Sequence, residues 1–186
     1  ISKPIAVSGE DAVLYDMAFA LSTDDVKLAN ISLIADKASF EDNSGAAILV
    51  TANGIELNNV SVNYATPSNV NAFGILAISA ADFKLLDSTI IFVSNSNADV
   101  TQHGIQLRDS PDFVVKGNTI NATMPARDVA YSNTEPYFSN VDQDLVLAIG
   151  IQNGDGGNLT ENTINVATKS ALGGFPTIDS ILVYGA

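Results

Sequence analysis

Five segments of the chain, 26–33, 55–62, 83–90, 113–120 and 157–164, align so that three columns agree in residue type. The last position holds Leu33, Val62, Ile90, Ile120 and Ile164, always aliphatic. The position before it holds Ser32, Ser61, Thr89, Thr119 and Thr163, always a hydroxyl. Five positions before the end stand Leu28, Leu57, Leu85, Val115 and Leu159, again aliphatic. The steps are 29, 28, 30 and then 44 residues. A second series, Ile48, Ile75, Ile105, Ile151 and Ile181, advances by 27, 30, 46 and 30, and Gly74, Gly104 and Gly150 precede three of its members. Both series lengthen at the same place.

Column identity at such a period is the signature of an architecture in which each repeat contacts only its neighbours. Short aliphatic strands separated by Asn, Asp, Ser and Gly corners predict an all-β fold, a right-handed parallel β-helix of five to six coils. Successive strands would then stack at about 4.8 Å, and parallel crossovers are right-handed by default. A leucine-rich repeat would need its Leu-x-x-Leu-x-Leu signature, which is absent. A β-sandwich does not require the same residue type at one position of every repeat. Asn118 with Asn162, and Asn121 with Asn165, fall at equivalent corners, where stacked amides bond along the axis. The Gly54-Ile55-Glu56-Leu57 run imitates 104–107, but its distance from Val62 assigns it to the strand of the first series.

One segment spans 1–186 and is expected to be cut from a longer repeat protein. Residues 1–17 form an irregular start with some alternation at Ile5, Val7, Val13 and Tyr15. Residues 121–144 form the one long insertion, and insertions of that length in compact repeats are usually functional or disordered.

The formal charge of −13, with eight Lys and Arg against 21 Asp and Glu, excludes a nucleic-acid binder, which needs a basic surface. The same charge disfavours anionic lipid. No apolar run approaches the roughly 20 residues of a membrane span, so no direct membrane insertion is expected. Cysteine is absent, which removes disulfides and thiolate metal sites.

His103 is the only histidine; with Arg108 close by it is the catalytic candidate, as a general base on a β-helix groove. The competing reading makes it a polar corner residue. Asp82 and Asp112 share a column, with Asp155 one column earlier on the next repeat in the run Asn153-Gly-Asp-Gly-Gly-Asn158. Carboxylates stacked this way are the candidate Ca²⁺ ligands, against a bland reading as a row of Asx turns. Tyr131, Tyr137 and Phe138 in the insertion are candidate sugar-stacking or partner-contact residues. No other cofactor is expected. Asn30, Asn59, Asn121 and Asn158 each open an Asn-x-Ser/Thr sequon.

The form Gly-Ile-Gln-Leu-x-x-Ser-x-x-Phe-Val-Val-x-Gly-Asn-Thr-Ile at 104–120 resembles the right-handed parallel β-helix repeats of the pectin-lyase-like superfamily. Within it the chain looks most like the long Asn/Thr-rich adhesin-like surface proteins of methanogenic archaea. The resemblance covers residues 18–186 and implies a non-catalytic, secreted or cell-surface segment acting in adhesion or as a stalk. Carbohydrate or the surface of another cell would be its partner, and end-to-end self-association would follow from its open ends. The alternative is a carbohydrate-active enzyme, a polysaccharide lyase or glycoside hydrolase of the same superfamily. Of the polygalacturonase-like motifs only His103-Gly104 is present, without the acids, and no catalytic residue carries over.

Overall fold

A computed structural model describes residues 5–68, 70–95, 100–124, 146–168 and 181–184. Every strand pairing among them is parallel, and the strands form two sheets of nine and six. The chain enters the first sheet with β1 (Ala6–Tyr15), crosses to the second with β2 (Phe19–Leu21) and returns with β3 (Lys27–Asp36). It crosses again for β4 (Ala46–Val50), β5 (Glu56–Ala65) and β6 (Ala72–Ile78). From there each first-sheet visit is split in two: β7 (Lys84–Leu86) with β8 (Thr89–Val93), then β10 (Val114–Lys116) with β11 (Thr119–Met124), then β13 (Asn158–Thr160) with β14 (Thr163–Thr168). The second-sheet strands between and after them are β9 (Gln102–Arg108), β12 (Val146–Gln152) and β15 (Ile181–Tyr184). No helix among the described residues is long and apolar enough to cross a membrane.

The first series of columns is the register of the first sheet. Leu28 opposes Leu57, which opposes Leu85, then Val115, then Leu159. Leu33, Val62, Ile90, Ile120 and Ile164 oppose one another in the same order, as do the five hydroxyls beside them. The aliphatic residues point inward and are buried in all but the last repeat, whereas the hydroxyl row faces out, half-buried at Ser32, Ser61, Thr89 and Thr119 and exposed at Thr163. That is the period-2 alternation of a sheet with one face on the core.

The second series holds for Ile48, Ile75 and Ile105, but the next member is Ile149 instead of Ile151. Ile149 also opposes Ile181, while Ile151 opposes Leu107 and Val183. The step from β9 to β12 is 44 residues, the same as in the first series, so Ile149 and not Ile151 continues the column. Ala47 and Ile48, consecutive residues, both join the core, as do Ala148 and Ile149. The ladder skips the position of Ala47, Gly74, Gly104 and Ala148 in each repeat, with the same register on either side of the break. Gly74 and Gly104 belong to that column; Gly150 does not.

The start of the chain is more regular than its sequence suggests. Within residues 1–17, β1 runs in register with β3 on both sides of a bulge between Ser8 and Ala12. Val7 and Leu14 take the columns of Leu28 and Leu33.

Corners are set by left-handed residues in columns. Asp25, Gly54, Asp82, Asp112 and Gly156, with φ of 60°, 66°, 57°, 57° and 69°, precede the strand starts by two residues. Asn30, Asn59, Asp87, Gly117 and Glu161 form a second such column, with φ between 48° and 70°. Asn, Asp and Gly tolerate this region best, which is why the corners carry those residues. Tyr64 meets Phe40 at a tilt and Phe92 edge to face, with centroids 5.4 and 5.9 Å apart, and its hydroxyl donates to Ala38 O at 2.7 Å. Burial pushes the Tyr64 phenol pKa well above its ordinary value.

Candidate functional site

His103 lies on the outward face of the second sheet, opposite Phe73 in β6. The two rings meet edge to face, with centroids 5.9 Å apart and planes at 81°. Gln106 meets His103 only three residues on, a spacing that the break in the ladder at Gly104 makes possible. His103 Nδ1 and Gln106 Oε1 share a hydrogen bond, and Gln106 Nε2 donates to Leu107 O at 3.2 Å. The two side chains lie over Gly150 of the next repeat, where a Cβ would sit 2.4 Å from Gln106 Oε1 and 2.9 Å from His103 Nδ1. His103 is 3% exposed and Gln106 1%. A general base has to reach its substrate, and so deep a ring offers it little surface. His103 is thus packed on Phe73 and hydrogen-bonded to Gln106 on this face.

Arg108 ends the same strand, opposite Ile78 and Gln152. Its backbone carbonyl takes the Ser79 N–H at 2.9 Å and the Ser110 hydroxyl at 2.9 Å. Asp109 turns to the next repeat, where Asn153 Nδ2 donates to its Oδ1 at 2.7 Å. Among the described residues, ion pairs join Lys27 to Glu56 at 3.1 Å and Lys116 to Glu161 at 3.5 Å.

Asp82 and Asp112 occupy the left-handed corner column on consecutive repeats, and Asp155 lies one position before that column on the next. The Asp82 N–H donates to Pro111 O at 3.1 Å and the Asp112 N–H to Asp155 O at 2.7 Å. Asp112 Oδ1 lies over Gly156, 2.2 Å from where a Cβ would be. Among the described residues no group of three or more His, Asp or Glu side chains is gathered to hold a metal ion. The glycines of 153–158 have a packing cause: Cβ atoms at Gly154 and Gly157 would fall 2.9 and 1.9 Å from the Phe113 ring. Tyr131, Tyr137 and Phe138 lie outside the described residues.

The sequon asparagines take part in ladders. Asn59 Nδ2 donates to Asn30 Oδ1 at 2.8 Å, Asn30 Nδ2 to Ser8 Oγ at 3.0 Å, and Asn165 Nδ2 to Asn121 Oδ1 at 2.9 Å. Asn158 is exposed at the start of β13.

One polar cluster has no counterpart in the sequence reading. Gln102, fully buried, accepts at Oε1 from Thr66 Oγ1 at 2.7 Å and Ser94 Oγ at 2.6 Å. Its amide donates to Pro67 O at 3.1 Å and Val70 O at 2.9 Å. All its capacity goes to the two loops it ties together, so its role is structural. The signal was a hydroxyl at the same place in two successive repeats, Thr66 and Ser94, each just past a strand. Comparison with protein-family models, curated proteins and solved structures finds no match.

Proposed function

We infer that the two parallel sheets are walls of one right-handed parallel β-helix, of the kind found in the pectin-lyase-like superfamily. On this reading the chain is a non-catalytic, extracellular or cell-surface segment acting in adhesion or as a structural stalk, with carbohydrate as its ligand class. The observation that carries it is the strict alternation of strands between the sheets, each repeat adding to both in register. Polar side chains follow the same rule, bonding from one repeat to the next at Asn59 and Asn30, Asn118 and Asn162, and Asn165 and Asn121. A stack held this way extends by addition of repeats, as a spacer requires. Its right hand rests on the rule for parallel crossovers. The outward row with Ser61 and Asn63, Thr119 and Asn121, and Thr163 and Asn165 supplies donors and acceptors suited to sugar hydroxyls.

The test is co-sedimentation with a panel of insoluble polysaccharides, assayed in parallel for new reducing ends and unsaturated products. Saturable retention without product is the expected result. Product formation lost in His103→Ala would overturn the non-catalytic reading in favour of a carbohydrate-active enzyme. Absence of retention across the panel would remove carbohydrate as the ligand class.

A further inference from the structure

We propose that the outward face of the second sheet is a docking surface for the chain's own residues 125–145, the segment between β11 and β12. The first sign is in the strands themselves. β3, in the first sheet, mixes polar with apolar positions, as a wall open to water on one side does. β4 and β6 carry no polar side chain, reading Ala-Ala-Ile-Leu-Val and Ala-Phe-Gly-Ile-Leu-Ala-Ile. Strands of that composition are covered on both faces. Burial agrees. The first sheet covers the inward face through the shared core. Ala46, Phe73 and Leu76 form a second buried cluster apart from that core, at 0%, 5% and 3% exposure. His103 opposite Phe73 and Gln106 opposite Leu76 carry it to the next repeat, and both are as deeply buried. The described strands all belong to the two sheets, so none of them lies on the outward side; the short 3-10 turn Glu41–Asn43 reaches the β4 end.

The occupant follows from where the chain runs. Ala46, Phe73, His103 and Leu147 oppose one another in turn, in the column next to the corner at which the chain enters the second sheet. Residues 125–145 lead into Val146, the residue before Leu147, and so arrive at the edge of this face. The corresponding crossings, 66–71 and 94–101, make the same turn with fewer than half as many residues. The surplus is ample for the distance. From β12 back to β4 is three strand spacings, about 14 Å, which roughly five extended residues span. The segment also has the chemistry of the face. It carries Val129, Tyr131, Tyr137 and Phe138, large side chains whose burial needs an apolar partner, and the face offers Phe73 and Leu76 with Leu49 beside them. Covered in this way, the second sheet presents no open wall, and the outward rows of the first sheet are the surface left for a ligand.

The sequence holds no tryptophan, so Phe73→Trp places a single fluorescent reporter on the face. Its quenching by acrylamide is compared in the full chain and in a chain whose residues 125–145 are replaced by a connector with the sequence of 66–71. The full chain is expected to shield the reporter. The shortened chain is expected to be quenched several-fold more strongly while circular dichroism keeps its β spectrum. Should the shortened chain not fold, Tyr137→Ser with Phe138→Ser in the full-length reporter chain reads the same contact and is expected to raise quenching in a folded monomer. A reporter open to acrylamide in the full chain overturns the proposal. Shielding that survives both alterations overturns it too, since another part of the chain then covers the face. Shielding that appears only as concentration rises assigns the face to a second copy and overturns it as well. Each of these failures leaves the adhesion reading standing.

Discussion

Asn118 and Asn162, 44 residues apart in sequence, are bonded twice: Asn162 Oδ1 accepts the Asn118 backbone N–H at 3.0 Å and its Nδ2 at 2.9 Å. Asn118 repeats the arrangement one step back, its Oδ1 taking the Ser88 N–H at 2.8 Å and its Nδ2 reaching Leu85 O at 2.9 Å. Asn118 is 1% exposed, so removing its amide leaves buried partners unsatisfied. Asn118→Ala is expected to lower stability by about 2–3 kcal/mol, read from urea denaturation. Asn165→Ala breaks a similar bond at an exposed site and is expected to cost less than about 1 kcal/mol.

Phe113 and Gly157 are a size-matched pair across two repeats. A Cβ at Gly157 would overlap the Phe113 ring, so Gly157→Ala is expected to destabilise by about 1–3 kcal/mol through overpacking. In a Phe113→Val background the same change is expected to cost far less. Equal costs in the two backgrounds of this double-mutant cycle would show that the ring is not what Gly157 accommodates.

Tyr64 predicts a pH dependence. Its folded pKa lies above the ordinary 10.0 because burial disfavours the phenolate. The folded state therefore holds this proton more tightly than the unfolded state, and the contribution to stability is intact below pH 10.0 and falls as pH rises above it. Tyr64→Phe is expected to flatten the alkaline limb of the stability curve. Near neutral pH it should cost about 1 kcal/mol for the lost bond to Ala38 O. An unchanged alkaline limb in the variant would assign that limb to other groups.

Asp82, Asp112 and Asp155 do not gather as a three-carboxylate site. Excess Ca²⁺ or EDTA is accordingly expected to leave the melting temperature unchanged. A Ca²⁺-dependent rise, abolished in Asp112→Ala, would assign these carboxylates a cation-binding role, because a ligand bound only to the folded state raises its stability.

What was legible in the sequence was whatever the stacking repeats. The Leu28 and Leu33 columns needed one residue type at one place in five repeats, and all four steps of each hold. Asn118 and Asn162, as well as Asn121 and Asn165, pair as their alignment implied. The second series failed at Ile151 because a pattern of Ile after Gly does not distinguish Gly104 from Gly150, which opposes Gln106, two positions further along the strand. In the start of the chain, the bulge after Ser8 offsets an otherwise normal strand. His103 is the only histidine in the sequence, yet its contacts with Phe73 and Gln106 depend on a neighbour a repeat away and on the break in the ladder at Gly104. The Gln102 cluster left only a faint sign, the hydroxyls Thr66 and Ser94 at one place in successive repeats, since its partners come from two separate loops.

Distances along the stack test the central claim, that each repeat adds one strand to each sheet in register. The chain has no cysteine, so paired spin labels can be placed cleanly at Ser32 with Thr89, with Thr119 and with Thr163, which lie two, three and four steps apart in one outward row. Dipolar spectroscopy is predicted to give separations rising evenly by about 4.8 Å per step. The pair at Ile78 and Gln152 in the second sheet, two steps apart, is predicted to match Ser32 with Thr89. Separations that do not rise evenly, or a second-sheet pair that departs from the first-sheet spacing, would contradict the account.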